Sequence, residues 1–305
     1  MELRHLRSFV VAARELHFAR AAEALGVSSS TLTLQIQELE RALQARLFNR
    51  TKRSVALTQA GEAFLDETLA VLDRFDRAVN VGRRAGRGQL GRIALGYVGS
   101  AAYSGVLQHQ MQRFRTEWPD VTLHARELLM DQIAACVEAG TVDIGFVRLP
   151  VPLPNGIASH VLVRDGFCLA LPSGHRLAGE GGRRHGPAVK ARDLAGEDFI
   201  VPEQDLGLRE VARRGRFTPR IAAVPGSLLA VVTHVSLGVG VAVLPTIVKD
   251  VLALPNVVFR QVAGADIPSS IAAIYRRHER SPTVRHFIEQ ILRTEPVLVS
   301  PFPMG

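Results

Sequence analysis

A proline-free amphipathic stretch at residues 58–87 limits how this 305-residue chain can fold. Its apolar seam recurs at helical spacing, and charged residues of both signs lie between: the seam is Leu65, Leu69, Leu72 and Val79. A helix of about 28 residues is about 40 Å long, and such a seam is stable only when it is packed. We therefore predict a linker helix that pairs with a second copy of the chain, followed by a Gly/Arg-rich hinge at residues 83–91.

Residues 1–58 have the pattern of a small helical module that ends in a β-hairpin. Two short helices precede a break at Gly26, and a third helix has an inward apolar stripe that includes Leu32 and Ile36. Nine Lys and Arg residues stand against five Asp and Glu here, which makes this the most basic part of a chain with a net charge of +8. Two helices, a glycine turn and a polar-faced third helix are typical of a winged helix-turn-helix DNA-binding domain.

The DNA-binding candidates are hydroxyl residues at the start of the third helix, one outward amide and the basic residues of the hairpin. They are Ser28, Ser29, Ser30, Thr31, Thr33, Gln37, Arg50, Lys52 and Arg53. Hydrogen-bonding groups at the groove-facing end of a helix read bases, and basic loops contact phosphates. The same hydroxyls also suit helix capping, and a basic loop is often only solvated. Leu34 also points outward, and a neutral position, an assembly contact and a contact to a thymine methyl group all remain open for it.

Residues 89–305 alternate short apolar strands with helices, which favours an α/β domain with mostly parallel sheets. Residues 179–190 have the composition of an unpatterned loop, and residues 295–305 that of a loose tail. The two cysteines, Cys136 and Cys168, lie in apolar segments and are predicted to be packing residues rather than a redox switch.

The sequence contains no motif that indicates catalysis, a metal or a cofactor. The ten histidines are scattered, and neither HExxH nor CxxC spacing occurs. We therefore predict that the protein is not an enzyme and needs no metal or cofactor. Apolar stretches are too short to span a bilayer, and the first residues lack a signal-peptide core, so we predict a cytoplasmic protein without a membrane partner.

The segment from Glu2 to Phe64 resembles the N-terminus of LysR-type transcriptional regulators. The matching features are FARAAEAL from Phe18, Gln35-Ile36, Arg46-Leu47-Phe48 and Leu57-Thr58 followed by Gly61. The segments RFRTEWPDV, EAGTVDIGFVR, LALPSGH and LGVGVAVLP extend the resemblance over nearly the whole chain. Where most members of the family read SQPALSRQI, this chain has Ser29, Ser30 and Leu34 in place of the glutamine, proline and arginine.

The resemblance implies a multidomain fold, in which an all-α winged helix-turn-helix and a long linker helix precede a two-lobed α/β domain like the periplasmic solute-binding proteins. The implied domains are 1–58 for DNA binding, 59–88 for the linker and hinge, and 89–305 for effector binding. Within the last domain, lobe I spans about 91–163 and 268–305 and lobe II spans about 164–267. The chain is expected to cross between the lobes near Val163 and Ile267.

The resemblance also implies an effector site between the two lobes. The positions carried over are Gly99, Ser100, Met130, Arg148, Val201, Glu203 and Ser227. Backbone amides near Ser100 can hold an anion, Arg148 can pair with a carboxylate, and Met130 adds an apolar wall. These features favour a small organic acid, whereas Glu203 disfavours a doubly anionic one. Ser100 as a plain helix cap and Arg148 as an interdomain or surface arginine are the structural alternatives.

A sequence-specific DNA-binding transcription regulator controlled by a small-molecule effector is therefore the predicted function. The implied partners are double-stranded promoter DNA, the effector, RNA polymerase and further copies of the chain in a homodimer or homotetramer. Two alternatives remain open on the sequence: a constitutive architectural DNA-binding protein, and an α/β small-molecule-binding or enzyme domain tethered to DNA.

Overall fold

The computed structural model describes residues 1–51, 54–179, 188–263 and 267–299. The chain divides into two compact units, Met1–Ala85 and Gly86–Gly305. The DNA-binding candidates belong to the first unit and the effector-binding candidates to the second. Two DNA-binding candidates, Lys52 and Arg53, lie outside the described residues.

The first unit is a helical module with a short hairpin and a long final helix. Its elements are α1 (Leu3–Glu15), α2 (Phe18–Ala24), α3 (Ser29–Leu43), β1 (Phe48–Arg50), β2 (Val55–Leu57) and α4 (Gln59–Gly86). A left-handed residue, Gly26 with φ of 66°, separates α2 from α3, and glycine adopts this conformation without steric cost. The predicted break at Gly26 and the predicted hairpin are confirmed.

Phenylalanine rings join the helices of this unit to its hairpin. Ring centroids of Phe9 and Phe48 lie 5.6 Å apart, and those of Phe9 and Phe64 lie 5.2 Å apart. Phe18 lies 5.4 Å from Phe48 on the other side. Aromatic pairs at these distances attract one another beyond their burial. Helix α1 therefore holds both the hairpin, through Phe48, and the long helix α4, through Phe64.

The long helix begins where the sequence predicts. Thr58 Oγ1 accepts a hydrogen bond from the backbone N–H of Gly61 at 3.0 Å, which caps the first turn of α4. The helix has 28 residues, as predicted. The predicted hinge at residues 83–91 is wrong over its first four residues, because Arg83 and Arg84 continue the helix. Arginine is a good helix former, and its charge suits the negative end of the helix dipole.

The second unit contains the two lobes. The elements of lobe I are β3 (Gly91–Tyr97), α5 (Gly99–Tyr103), α6 (Val106–Glu117), β4 (Val121–Glu127), α7 (Met130–Glu138), β5 (Ile144–Leu149), β6 (Ile157–Asp165), which crosses into lobe II, β14 (Ser269–Arg276), α11 (Pro282–Leu292) and β15 (Val297–Leu298). Those of lobe II are β7 (Phe167–Pro172), β8 (Val189–Lys190), a 3-10 turn (Ala191–Leu194), β9 (Asp198–Pro202), α8 (Leu206–Gly215), β10 (Arg220–Gly226), α9 (Leu228–Ser236), β11 (Ala242–Pro245), α10 (Val248–Val251), β12 (Val257–Arg260) and β13 (Val262–Ala263).

The sheets of this unit are mixed, so the prediction of mostly parallel sheets is wrong. Lobe I has a six-stranded sheet in the order β15-β6-β14-β5-β3-β4. Strand β3 is parallel to β4 and β5, whereas β14 is antiparallel to β5 and β6. In lobe II, β7 is antiparallel to β11 and β12, while β9 with β10 and β8 with β13 form parallel pairs. The antiparallel strands of lobe I arise because the chain leaves through β6 and returns beside it through β14.

The two crossings between the lobes lie side by side. Val163 of β6 pairs with Ile271 of β14, and Asp165 pairs with Ser269. Val163, near which one crossing is expected, lies in β6, and Ile267, near which the other is expected, lies two residues before β14. Two neighbouring strands thus connect the lobes, and such a connection allows the lobes to rotate about it.

Two segments predicted to lack regular structure contain short strands. Strand β15 (Val297–Leu298) pairs in parallel with β6, so the prediction of a loose tail is wrong for those residues. Strand β8 (Val189–Lys190) likewise ends the predicted loop and pairs with β13. Residues 180–187 and 300–305 lie outside the described parts of the chain.

Candidate functional site

Hydroxyl groups at the start of α3 form a capping network. Ser28 Oγ accepts a hydrogen bond from the backbone N–H of Thr31 at 3.1 Å and lies 2.8 Å from Ser30 Oγ and 2.7 Å from Thr31 Oγ1. Thr33 Oγ1 donates to the carbonyl oxygen of Ser29 at 2.8 Å. Ser28, Ser29, Ser30 and Thr31 are exposed, so these groups combine the capping and surface roles that the sequence leaves open.

The outward face of α3 presents an amide, a leucine and an arginine. Gln37 and Arg41 are exposed, and Leu34 is 53% exposed. Leu32 and Ile36, on the opposite face, are fully buried, so the predicted orientation of the helix is confirmed. This face has the side chains that major-groove reading requires, and within the described residues neither Gln37 nor Arg41 makes a side-chain hydrogen bond or ion pair.

Arg50 is held in place by the helices of its own domain. Its guanidinium carbon lies 4.3 Å from the ring centroid of Phe18, and its Nη2 lies 3.9 Å from Glu40 Oε2. Glu40 Oε1 also accepts hydrogen bonds from the backbone N–H groups of Leu47 at 2.8 Å and Phe48 at 3.3 Å. Glu40 therefore ties α3 to the hairpin, and Arg50 is positioned on that joint rather than being free.

The structure divides the predicted dimerisation seam of α4. Leu65 and Leu72 pack against the hydrophobic core of the helix-turn-helix in the same chain, so the prediction that they form a free seam is wrong. The reason is that α4 supplies side chains to this core, as the contact of Phe64 with Phe9 of α1 also shows. Leu69 is 37% exposed and Val79 is half-buried. The large apolar residues left exposed on α4 are Leu69, Val71, Phe75 and Val81.

A cavity of about 70 Å³ lies in the cleft between the lobes of the second unit. Six of the seven predicted effector-binding residues line it: Gly99, Ser100, Met130, Arg148, Glu203 and Ser227. Val201 does not line the cavity, because its side chain is 7% exposed and packs in the hydrophobic core of lobe II. Its neighbours Pro202 and Gln204 line the cavity instead.

Arg148 joins both crossing strands to lobe I. Its Nη2 donates to Asp165 Oδ2 at 3.2 Å, its Nη1 donates to Ser269 Oγ at 2.7 Å, and its Nε donates to Ser100 Oγ at 3.4 Å. Burial holds the pKa of Arg148 below its usual value, although the neighbouring Asp165 acts in the opposite direction. Asp165 thus already balances the charge of Arg148, and the pairing of Arg148 with a ligand carboxylate stays a prediction. The interdomain alternative describes Arg148 better.

Glu203 bridges the cleft from lobe II to lobe I. Its Oε1 accepts a hydrogen bond from the backbone N–H of Met130 at 2.5 Å, at the start of α7, where the preceding residue offers no side-chain cap. The pKa of Glu203 is raised above its usual value, mainly by burial and further by the charges of Asp131 and Glu127. The hydrogen bond from Met130 acts in the opposite direction. A carboxylate of the protein itself therefore occupies the helix terminus that would attract an anionic ligand.

Several lining residues are not among those predicted from the sequence, including Tyr103, Glu127, Phe167 and Pro245. Glu127 ends β4, and the ends of neighbouring parallel strands meet at one sheet edge, where ligands bind in α/β folds. That rule, applied to β4 as well as to β3, would have found it. Burial and the charge of Glu127 raise the pKa of Tyr103, so Tyr103 stays a neutral hydrogen-bond donor.

The remaining candidates for chemistry have structural surroundings. Cys168 is fully buried, and burial raises the pKa of its thiol, while Cys136 is half-buried against the core of lobe I. Across the described ranges, no cluster of three or more His, Cys, Asp or Glu residues could hold a metal ion. No helix in these ranges combines the length and apolar character needed to cross a bilayer.

Both units match known protein families. Residues 3–62 match the bacterial regulatory helix-turn-helix protein, lysR family, and residues 86–295 match the LysR substrate binding domain. The uncharacterized HTH-type transcriptional regulator YnfL of Escherichia coli (strain K12) is 36% identical over 295 residues, 94% of this chain and 96% of that protein. AlsR of Bacillus subtilis (strain 168), also an HTH-type transcriptional regulator, is 30% identical over 296 residues, 94% of each chain.

A solved structure matches over nearly the full length. Full-length CbnR in complex with its target DNA has a TM-score of 0.78 and 27% identity, covering 96% of this chain and 99% of that one. The two family matches account for the DNA-binding module and the two-lobed domain described above, in a family of regulators rather than enzymes. The chain therefore belongs to the LysR family of transcriptional regulators, with an N-terminal DNA-binding domain and a C-terminal effector-binding domain.

Proposed function

We propose that the effector of this regulator binds in the cleft between the lobes and changes how the lobes are arranged. The cleft carries this proposal: polar residues of both lobes line it, and the Glu203–Met130 hydrogen bond spans it at 2.5 Å. A cavity of about 70 Å³ has room for only a few water molecules. An organic effector is therefore proposed to fill this inner cavity only when the lobes separate and that bond breaks.

Effector binding acts on DNA through a shift between lobe arrangements. A ligand shifts such an equilibrium only by its different affinity for the two states. The polar, bridged cleft supports this reading over a constitutive architectural protein, whose lobes would be packed shut by apolar side chains. The lobe arrangement that the effector favours changes the spacing of the DNA-binding domains in the assembly. RNA polymerase is the proposed partner that responds to this change at the promoter.

The DNA-reading residues are proposed to be those at the start and outward face of α3. Serine and threonine hydroxyls contact base edges, and a glutamine can form a bidentate pair with adenine. Arg50, on the hairpin joint, and the sequence candidates Lys52 and Arg53 are proposed to contact phosphates. The amide of Gln37 is exposed and makes no hydrogen bond to any described residue, so it is the side chain of this set best suited to specify a base.

Replacement of Gln37 by alanine is expected to change operator preference. Loss of a bidentate base contact costs about 1–3 kcal/mol at the recognised base pair and leaves other base pairs unaffected. Genome-wide mapping of bound sites with the full-length protein supplies the operator, and titration of operators changed one base pair at a time measures the preference. Lys52→Ala is the matched control, expected to weaken all operators equally and to lower the salt slope by about one unit.

The proposed function fails if mapping finds no sites beside promoters. If Gln37→Ala instead lowers the affinity for every operator equally, the regulatory function still holds, but Gln37 does not read a base.

We further propose that α4 forms a dimer, on which a tetramer can be built. Val71, Phe75 and Ala78 are exposed and lie on one stripe of the helix. An exposed apolar stripe on a long helix is stabilised by pairing with a second copy. In the proposed dimer contact this stripe takes the place of Leu65 and Leu72, because those two residues pack against the core of their own chain.

A double variant, Val71→Asp with Phe75→Asp, is expected to dissociate the dimer and to abolish tight operator binding with it, because one head alone makes few contacts. Light scattering gives the mass, and a DNA titration gives the affinity. Asn80→Asp, an exposed position on the opposite side of α4, adds the same kind of charge and should change neither quantity. If the double variant keeps the oligomeric mass of the wild type, this stripe is not the dimer contact.

A further inference from the structure

The charges that face the cleft are negative once internal ion pairs are taken into account. The guanidinium of Arg148 is neutralised by Asp165, and both side chains are buried, at 3% and 0% exposure. Glu127 and Glu203 also line the cavity, and neither makes an ion pair within the described ranges of the chain. Among the described lining residues, a ligand in this cleft therefore meets two carboxylates and no uncompensated positive charge.

The helix terminus offers no place for an additional anion. The backbone N–H of Met130 already donates to Glu203, so a ligand carboxylate would have to displace Glu203 and then face it. Glu127 stands on the other side, with its Oε1 only 2.9 Å from where a Cβ on Gly99 would lie. Like charges brought together in a partly buried cleft repel one another, and this repulsion disfavours an acidic effector.

The two carboxylates stand between an inner and an outer cavity. The inner cavity, which includes Ser100 and Arg148, and a neighbouring cavity of about 320 Å³ share Glu127 and Glu203 among their lining residues. At the inner end, Ser100 is 5% exposed and its hydroxyl oxygen accepts the hydrogen bond from Arg148 Nε, while its proton meets no acceptor in the described parts of the chain. The proton of this hydroxyl is therefore available to a polar group of a ligand.

We propose that the effector carries a cationic or N–H-rich group, which pairs with Glu127 and Glu203, and a hydrogen-bond acceptor, which takes the hydroxyl of Ser100. The effector is thus an amine-bearing polar compound and not the simple organic acid that the sequence favours. This inference rests on the proposed function, in which the effector binds in this cleft. Glu127 and Glu203 determine its specificity, and the cation replaces the interaction that Glu203 loses when it leaves Met130.

The first test needs no ligand. Glutamine at both positions, Glu127→Gln with Glu203→Gln, keeps an oxygen to accept the hydrogen bond from Met130 and removes both charges. The full-length double variant is expected to melt at a higher temperature than the wild type at neutral pH, because the repulsion is gone. The raised pKa of Glu203 means that its charge destabilises the fold above that pKa, so the gain should shrink as the pH falls towards about 4.3.

A matched control separates this effect from a general response to losing a carboxylate. Glu197, in the same lobe as Glu203, accepts hydrogen bonds from His175 at 3.0 Å and Arg176 at 2.5 Å. Glu197→Gln removes a charge that has partners and should lower the melting temperature. A double variant at Glu127 and Glu203 that melts below the wild type would overturn the proposal.

The second test uses four probes of one shape: benzylamine, benzamidine, benzamide and benzoate. Calorimetry on the full-length wild type should show that the two cations bind about tenfold more tightly than benzoate. In the double glutamine variant this preference should disappear. Benzoate binding equal to or tighter than that of benzylamine, or no binding of either cation, would overturn the cationic class.

Ser100→Ala distinguishes failure of the ligand class from failure of the site. If benzoate binds and Ser100→Ala weakens its binding, the cationic class of effector is overturned, but the cleft remains the effector site. Probe binding that neither Ser100→Ala nor the double variant changes would contradict the site as well as the class.

Discussion

Replacement of Arg148 by alanine is expected to lower the free energy of unfolding of the effector-binding domain by about 3–5 kcal/mol. The change leaves Asp165 charged and buried without its partner, and it removes the hydrogen bonds that Arg148 donates to Ser100 and Ser269. Since Asp165 and Ser269 lie on the two strands that connect the lobes, the damage falls on the crossing itself. Denaturant titration of the full-length protein measures the loss.

A compensating variant tests whether the ion pair itself is the cause. Removing both charges, with Arg148→Met and Asp165→Leu, should recover most of the lost stability, because apolar residues of similar volume often replace a buried ion pair without loss. Arg176→Ala is the matched control. That arginine is 58% exposed beside Glu197, and such a pair contributes at most about 1 kcal/mol. A single variant as stable as the control would show that Asp165 finds another partner or a proton.

Replacement of Gly61 by alanine is expected to destabilise the first unit by about 3 kcal/mol, the upper part of the usual range for overpacking. A Cβ on Gly61 would overlap the backbone carbonyl oxygen of Leu47, and a backbone atom cannot rotate away as a side chain can. Helix α4 must then move away from the segment that leads into the hairpin. The long helix and the DNA-reading face would lose their fixed relation, so operator binding should weaken with stability.

Gly82 provides the control on the same helix. Nothing lies within 4 Å of a Cβ placed there, so Gly82→Ala should be neutral or should stabilise α4 by up to about 1 kcal/mol through helix propensity. Thermal melting and operator titration of the two variants separate steric overlap from the general effect of a glycine change. Equal behaviour of Gly61→Ala and Gly82→Ala would show that α4 is not tightly packed at its start.

Elements with strong periodicity could be predicted from the sequence, and elements defined by pairing could not. The stripe of Leu32 and Ile36 fixes the orientation of α3, and Thr58 marks the start of α4, because both signals are local. Strand β6 forms by pairing with β14, and β15, in the segment predicted to be a loose tail, forms by pairing with β6; both partners are distant in the sequence. The direction of β14 follows from the crossing between the lobes, which leaves no local pattern.

The same distinction applies to the cleft. Gly99, Ser100 and Met130 stand at strand ends and helix starts, which a sequence pattern can locate. The partner of Arg148 is Asp165, and that of Glu203 is the backbone of Met130, 73 positions away. Charge balance in a cleft depends on such long-range pairs, so the sequence identifies most of the lining residues but not how their charges are paired.

The hydroxyl network at the start of α3 has a consequence for how the targets of this regulator evolve. A hydroxyl that turns to a base gives up part of a capping interaction of about 1 kcal/mol. Each such contact therefore discriminates between bases by less than the roughly 1–3 kcal/mol of a bidentate pair. Binding sites can then drift by single base pairs and stay occupied. We therefore expect new promoters to come under control after few mutations.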